Sequence, residues 1–502
     1  MNRRSNLLLF ILFLLAVNQL NGQTDRDNAV LKAMPALDKM MADYAAGQHF
    51  PGLVWGIVLD GKLIHTGKYG YADLEKKLPA SPLSDFRIAS MSKSFTAMAI
   101  LKLRDAGKLQ LDDPVSRYIP EMAQQPYLHG DAAPVTIRHL LTHAAGFPED
   151  NPWGDRQLAV PDDSLIALIR RGISFSTDPG TGYEYSNLGF AMLGYVIQRI
   201  TGEPYQTYIS REILQPLGMH NTYWEYNDVP ADRLAQGYRW LNDRWVKQPL
   251  LHDGAYGAMG GLITTLEDFA RYVAFHENGY PARTGADNGV IKRSSLREMH
   301  FPWNFSALNT GFKYGDRPCP SVSAYAYGLR WEKDCEQRVT LGHSGGLPGF
   351  GSNWRFLPQF GIGIITFANL TYAPAGGINI AALDRVIRES GLQARTLPAS
   401  PVLEQRKQQL AALLPDWKNA AASGIFADNF FQDYFTDSLR KEAIAIFTAA
   451  GKISSVSAVE PENNLRGSFR LNGEKATVQV SFTLTPQNPA LIQEYHLKLL
   501  PR

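Results

Sequence analysis

The segment Phe86-Arg87-Ile88-Ala89-Ser90-Met91-Ser92-Lys93-Ser94-Phe95-Thr96-Ala97 places a serine and a lysine three positions apart at the threshold of an apolar helix. Ser94 to Leu103 has helical character, and Asp105-Ala106-Gly107 closes it with glycine where a helix C-terminus favours one. Residues i and i+3 share a helix face, so the Lys93 ammonium can reach Ser90 Oγ. A serine hydroxyl is a poor nucleophile at neutral pH and needs such a neighbour. The start of the helix adds backbone N–H groups that can receive developing negative charge.

S-x-x-K alone is a cheap pattern. A second copy, Ser438-Leu439-Arg440-Lys441, reads as a surface helix. Context separates the two. Tyr185-Ser186-Asn187 is the one Y-x-N in the chain and opens a helix that begins near Leu188. His343-Ser344-Gly345 ends a strand-like run and continues into Gly346-Leu347-Pro348-Gly349. H-x-G also occurs at His65 and His252, but only His343 follows Y-x-N and sits on a late strand.

Outward from these motifs, Asp27 to Gln48 carries a helical apolar pattern. Gly52–Asp60 and Lys62–Tyr69 read as strands joined by the hairpin signal Asp60-Gly61. Residues 110–320 are rich in Gly, Pro and aromatic loops, with helices expected near 136–142, 163–171, 188–201 and 205–214. Short strands are expected at Tyr327–Lys333, Arg338–His343, Gly351–Leu357 and Gly361–Asn369, then a closing helix from Ile378 to Ser390. One α+β unit over residues 27–391 follows, in which both ends feed a single antiparallel sheet around an inserted helical lobe. Residues 392–402 read as a linker. Residues 403–502 read as a small α+β domain, with helices at Leu403–Leu414 and Asp437–Ala450. A hairpin is expected to turn at Asn472-Gly473, followed by a last strand from Leu491 to Leu499.

The chain of 502 residues has 50 Lys+Arg against 48 Asp+Glu, a balance that gives no field to draw it to nucleic acid or anionic lipid. Arg3 and Arg4 precede an apolar run from Leu7 to Val17 and a polar stretch ending in Gly22. That pattern reads as a secretory signal peptide over residues 1–22, too short for comfortable spanning, and predicts a periplasmic or secreted protein with no membrane span after cleavage. Cys319 and Cys335 could pair in an oxidising compartment, yet a straight strand between them would hold its ends roughly 30 Å apart. The spacing leaves that pairing open. His139 and His143 lie four apart, but no third ligand follows at metal-site spacing, so packing and hydrogen bonding explain them better. No metal and no cofactor is expected.

The three motifs in this order resemble the serine β-lactamase/penicillin-binding superfamily, most closely its class C-like branch of β-lactamases, DD-peptidases, D-amino-acid peptidases and esterases. The likeness covers roughly residues 27–391 and extends to LQLDDPV at Leu109–Val115, TIRHLLTHAAG at Thr136–Gly146, Pro216-Leu217-Gly218-Met219 and Gly260-Gly261-Leu262. It implies a β-lactamase/transpeptidase-like antiparallel sheet flanked by helices. The resemblance makes Ser90 the acylated nucleophile, Lys93 its electrostatic activator, and Tyr185 a general base whose phenol pKa is lowered by Lys93 and which then protonates the leaving group. It has Asn187 hold either the substrate's acyl side chain or Lys93, assigns substrate contact to His343, Ser344 and Gly345 as well, and gives an oxyanion hole to the N–H groups of Ser90 and Gly346. The C-terminal domain resembles accessory domains of cystatin-like or nuclear-transport-factor type.

The implied function is an exported serine hydrolase that forms an acyl-Ser90 intermediate with a small-molecule or short-peptide substrate: an ester, a D-amino amide or a β-lactam. The rival is a penicillin-recognising sensor that acylates without useful turnover. β-Lactamases of the family mostly carry Lys where this chain has His343, and a neutral histidine holds a carboxylate less strongly. Esters and amides are therefore expected to be preferred to penicillins, with the gap narrowing towards pH 6 if His343 gains a proton.

Overall fold

The computed structural model describes residues 25–287 and 289–501, so the expected signal segment lies outside the described residues. Internal contacts divide the chain into two units, one ending at Ala394 and the other starting at Arg395.

The first unit is organised by GLVWGIVL, Gly52–Leu59. Every residue of this strand is buried, which explains a continuous apolar run rather than an alternation. Its period of two still sorts the side chains. Leu53, Trp55, Ile57 and Leu59 join the core formed by helices Met34–Gly47 and Ala375–Ser390. Val54 and Val58 point into the larger core on the opposite face, with Phe86, Phe95 and Phe269. On one side the strand meets Lys62–Asp73 through a two-residue turn in which Asp60 and Gly61 take φ of 49° and 80°, the geometry the Asp-Gly pair favours. On the other it pairs with Ile362–Ala368, so the beginning and end of the unit meet at the sheet's centre. Phe350–Leu357, Val339–Leu347, Arg330–Lys333, Ser321–Tyr325 and Asn304–Asn309 follow outward, and Leu78–Pro79 closes the opposite edge. The nine strands pair antiparallel throughout. Helices Lys93–Asp105, Asp162–Arg171, Asn187–Thr201 and Leu266–Glu277 contribute to the large core shared with Val54 and Val58.

Several local expectations shift. Ala326–Leu329 forms a turn, with Ala326 N–H donating to Leu329 O at 2.8 Å, so the strand expected from Tyr327 starts at Arg330. The turn returns the chain on itself and pairs Val322 with Lys333. Cys319 and Cys335 are thereby brought to a Cα separation of 5.0 Å and are disulfide-bonded. The next strand runs past His343 to Leu347, carrying the glycines with it. Strands Asn304–Asn309 and Ser321–Tyr325 and helix Leu266–Glu277 went unforeseen. The outermost strand leaves Phe305 and Leu308 exposed and shows no apolar-in pattern.

The second unit stacks helices Pro401–Leu413 and Thr436–Ala450 on an antiparallel sheet ordered Ile453–Val456, Arg466–Gly473, Thr477–Leu484, Ile492–Leu500, with Glu460–Pro461 beside Arg466–Gly473. Phe469, Leu471, Val478, Val480 and Phe482 alternate inward against Leu403, Leu410 and Trp417. Asn472 pairs with Thr477, so Asn472-Gly473 ends a strand instead of making the turn. The connection runs over Glu474 and Lys475, closed by Gly473 N–H on Ala476 O at 3.0 Å. Among the described residues no helix is long and apolar enough to cross a membrane.

Candidate active site

Ser90 stands on a sharp, pinned turn. Phe86–Arg87 pairs with Ile263–Thr264, and Ala89 then adopts φ of 50°, a left-handed conformation costly for a residue with a Cβ. Ala89–Ser92 forms a 3-10 turn that feeds helix Lys93–Asp105. Ser92 Oγ donates to Ala89 O at 2.7 Å and accepts from Leu262 N–H at 3.1 Å. Ile88 N–H bonds Leu262 O at 3.0 Å, while Ser352 Oγ donates to Ile88 O at 2.8 Å. In a 3-10 turn residues i and i+3 eclipse, so the S-x-x-K pair meets more directly than on an α-helix.

Lys93 is fully buried and all three of its donors have acceptors: Ser90 Oγ at 3.0 Å, Asn187 Oδ1 at 2.7 Å and Met259 O at 2.9 Å. Burial pushes its ammonium down to about 7, opposed by the charges of Asp155 and Asp150 and assisted by Arg330. Asn187 owes its orientation to the start of helix Asn187–Thr201. Asp150 accepts from the otherwise orphaned N–H groups of Asn187 at 2.7 Å and Leu188 at 2.8 Å. Asn187 Nδ2 donates to Asn151 Oδ1 at 2.7 Å, which turns Oδ1 towards Lys93.

Tyr185 approaches from the other side and is hydrogen-bonded to Ser90, with Lys93 Nζ 4.9 Å from its ring centroid. Burial drives its phenol above the ordinary range, and the Ser90 hydrogen bond and Arg330 only partly oppose this. The expected lowering of Tyr185 by Lys93 therefore does not describe this site: the amine is the group brought near neutrality. His139 and His143 do not share a helix face, because the helix ends at Leu141 and His143 takes φ of 55°. His143 instead packs 4.3 Å from the Tyr185 ring and accepts from Ser186 N–H at 3.1 Å, bracing the Y-x-N turn.

His343 lies on the cavity wall with neither ring nitrogen to spare. Ser344 O can only accept, so the 2.5 Å contact makes Nδ1 the N–H, and Nε2 then accepts from Tyr325 O–H at 2.8 Å. Burial, Arg330 and Lys93 hold the imidazole neutral well below its ordinary pKa. The expectation that His343 gains a proton near pH 6 is corrected accordingly. Ser344 Oγ accepts from Asn353 Nδ2 at 2.9 Å. Gly345 permits the closest approach: a Cβ there would stand 2.1 Å from Ile88 O and 2.3 Å from Ser352 Oγ. Gly346 lies under the Tyr372 ring, where a Cβ would meet Cδ1 at 2.7 Å.

Ser90, Tyr185, His343, Ser344, Gly345 and Gly346 all line one cavity of about 540 Å³, with Asn187 behind it on Lys93. Ser438 and Lys441, the second S-x-x-K, are exposed on helix Thr436–Ala450. The motifs did not reveal Arg330, which shares the cavity, lies 5.8 Å from the Tyr185 ring centroid, and forms no ion pair among the described residues. Strand pairing of Arg330 with Gly342 delivers it beside His343, and a single arginine at the head of a four-residue strand carries no local signature. Asp150, Asp155 and Tyr372 were missed for the same reason: each arrives on a loop or short turn.

The family model for Beta-lactamase matches residues 37–387. Protein flp of Staphylococcus aureus (strain MRSA252) is 31% identical over 335 residues, which cover 65% of this chain and 61% of that protein. The chain thus spans about three fifths of the length of that curated relative. Beta-lactamase-like protein 2 of Dictyostelium discoideum is 27% identical over 398 residues, covering 76% of this chain and 68% of that one. The octameric penicillin-binding protein homologue from Pyrococcus abyssi superposes with a TM-score of 0.60 at 21% identity, covering 93% of this chain and 98% of its own. A class C beta-lactamase superposes with a TM-score of 0.57 at 22% identity, covering 72% of this chain and 97% of its own. At such identities the two structures show a shared fold.

The approach of Gly345 to Ile88 couples the strand to the turn that carries Ser90. Gly345→Ala should therefore force the two apart, with a loss of about 1–3 kcal/mol of stability of the kind seen on overpacking a core. Thermal unfolding should show the drop, and the rate at which Ser90 reacts with a serine-directed acylating reagent should fall at least about tenfold because the cavity wall moves with the strand.

Proposed function

Because the chain belongs to the beta-lactamase family, we propose that it works as an exported serine hydrolase that acylates Ser90 with carbonyl substrates bearing a carboxylate. The observation that carries the reading is the 3.0 Å contact between Ser90 Oγ and a fully buried Lys93 amine. An amine with a pKa of about 7 is substantially neutral at physiological pH and can take the serine proton directly. Ser90 Oγ then attacks the carbonyl carbon. The oxyanion is received by the N–H groups of Ser90, in the first turn of its 3-10 segment, and of Gly346 across the cavity. Tyr185 keeps its proton because burial favours the neutral phenol, so it serves as the acid that protonates the leaving group. The proton held on Lys93 restores the phenol. Water cleaves the acyl-enzyme by the same steps in reverse. Relative to the roles implied by resemblance, the base passes from Tyr185 to Lys93, while Tyr185 remains the acid for the leaving group.

Arg330 supports the carboxylate. A cation without an ion-pair partner among the described residues, placed on the cavity wall beside a histidine that has no free N–H, is a natural receiver for an anionic group. It supplies the charge that His343 cannot, which favours D-peptides or β-lactams over neutral esters. Export is supported by the basic-then-apolar leader and by the Cys319–Cys335 disulfide, a bond suited to an oxidising compartment.

Covalent labelling tests the nucleophile. Ser90→Ala should abolish labelling by an acylating inhibitor and Ser438→Ala should leave it unchanged, as read by intact mass and peptide mapping. Label on Ser438, or label surviving in Ser90→Ala, would overturn the assignment.

A second measurement tests the anion site. Arg330→Ala should lower kcat/KM for a D-peptide with a free C-terminal carboxylate by roughly 10- to 150-fold, the equivalent of a charge-assisted hydrogen bond of about 1.5–3 kcal/mol. The rate on a neutral ester should stay within about threefold. Equal losses on both substrates would place the carboxylate elsewhere.

A further inference from the structure

Tyr372 takes no part in the chemistry just described, yet it is built into the site at some cost. It lies in the loop between strand Ile362–Ala368 and helix Ala375–Ser390 and adopts φ of 52°, a strained conformation for an aromatic residue. The loop enforces it. Tyr372 N–H bonds Phe350 O at 3.1 Å, Thr371 N–H bonds Tyr238 O at 2.7 Å, and Thr371 Oγ1 accepts from Gly349 N–H at 2.8 Å. So held, the ring covers Gly346 and the phenol crosses to Asp155, donating to Oδ2 at 3.0 Å. Asp155 is buried in the short turn Gly154–Arg156 and receives no other side-chain hydrogen bond among the described residues. That turn is braced on the Lys93 machinery, since a Cβ at Gly154 would stand 2.9 Å from Asn187 Cβ.

We propose that Tyr372 is a positioning residue that ties the strand carrying Gly346 to Asp155 and holds the Asp155 carboxylate in place facing the Lys93 site. The proposal rests on the reading of Lys93 as the acceptor of the Ser90 proton. Burial raises the Asp155 carboxyl, and the Tyr372 hydrogen bond works against that rise together with the charge on Lys93. Asp155 in turn is the foremost charge that keeps the proton on Lys93. Other groups facing Lys93 are Asp150 from the preceding loop, Tyr185 and His143 from the helical lobe, and Arg330 and His343 from the sheet. Tyr372 itself faces Asp155, Arg156 and Arg239. The sign follows. Without the phenol, Asp155 holds its proton to higher pH, Lys93 loses negative field, and the amine becomes neutral at lower pH. The acid limb of kcat/KM, which requires neutral Lys93, moves down.

The test is kcat/KM on a neutral chromogenic ester across pH 5–9, normalised by active-site titration, for the wild type, Tyr372→Phe, Asp155→Asn and the double variant. Tyr372→Phe keeps the ring on Gly346 and removes only the oxygen, and titration counts only molecules that still acylate. The acid limb should fall by about half a pH unit or more in Tyr372→Phe, the scale of a weakened buried charge. It should fall at least as far in Asp155→Asn, and the double variant should match Asp155→Asn alone. A merely structural role would lower the active fraction and leave the limb in place, which would overturn the proposal. So would an equal further shift on the Asp155→Asn background, or no shift in Asp155→Asn itself. Peptide mapping of the label separates this from the parent reading. Label on Ser90 with an unmoved limb removes only the role of Tyr372, whereas absence of label on Ser90 removes the hydrolase reading and this inference with it.

Discussion

A primary amine held out of water governs this molecule's active site. Taking an ammonium into a protein interior costs several kcal/mol unless its donors are met and charges balance it. Lys93 meets both conditions. Three oxygens accept its N–H groups, and the charges of Asp150 and Asp155 act on it with no ion pair to either among the described residues. The result is an amine whose pKa burial pulls down towards neutrality, in hydrogen-bond contact with the Ser90 hydroxyl. A direct salt bridge to either aspartate would have locked the proton in place, so the distance of those carboxylates matters as much as their presence.

The surrounding fold keeps that arrangement rigid. The sheet closes by pairing Gly52–Leu59 with Ile362–Ala368, and this brings the strand with Gly345 and Gly346 against the turn with Ser90. Gly345 has no room for a side chain, so the strand and the turn that carries Ser90 are packed directly against each other. Asp150 caps the helix that presents Asn187, and His143 sits under Tyr185, so each motif residue is oriented by a group from a different part of the chain. The strain at Ala89 and Tyr372 is held by hydrogen bonds that converge on Ile88, Leu262, Phe350 and Tyr238.

How much of this could be read in the sequence depends on range. Ser90, Lys93, Tyr185, Asn187 and His343 announce themselves because each motif is local, and the structure brings all five together. The buried strands and long helices were legible because one-sided or full burial leaves a period in the residues. Strands Asn304–Asn309 and Ser321–Tyr325 were not, since exposed Phe305, Leu308 and Val322 break any such period. Arg330, Asp155 and Tyr372 were invisible for another reason: their roles arise only when strand register and loop closure place them around one cavity. The titration order of Lys93 and Tyr185 was misjudged because charge proximity was weighed and burial was not. Burial lowers an amine and raises a phenol, and here it dominates both.

The central claim is that Lys93 is half neutral near pH 7. Lysine side chains labelled with 13C at Cε report their protonation by NMR, and comparison of Ser90→Ala with Ser90→Ala/Lys93→Met assigns the one resonance in question. A single lysine signal titrating with a midpoint of about 7, absent from the doubly substituted protein, is the expected result. If the Lys93 signal titrates near 10 with the surface lysines, the amine is an ammonium at neutral pH, and the account of how Ser90 loses its proton is wrong.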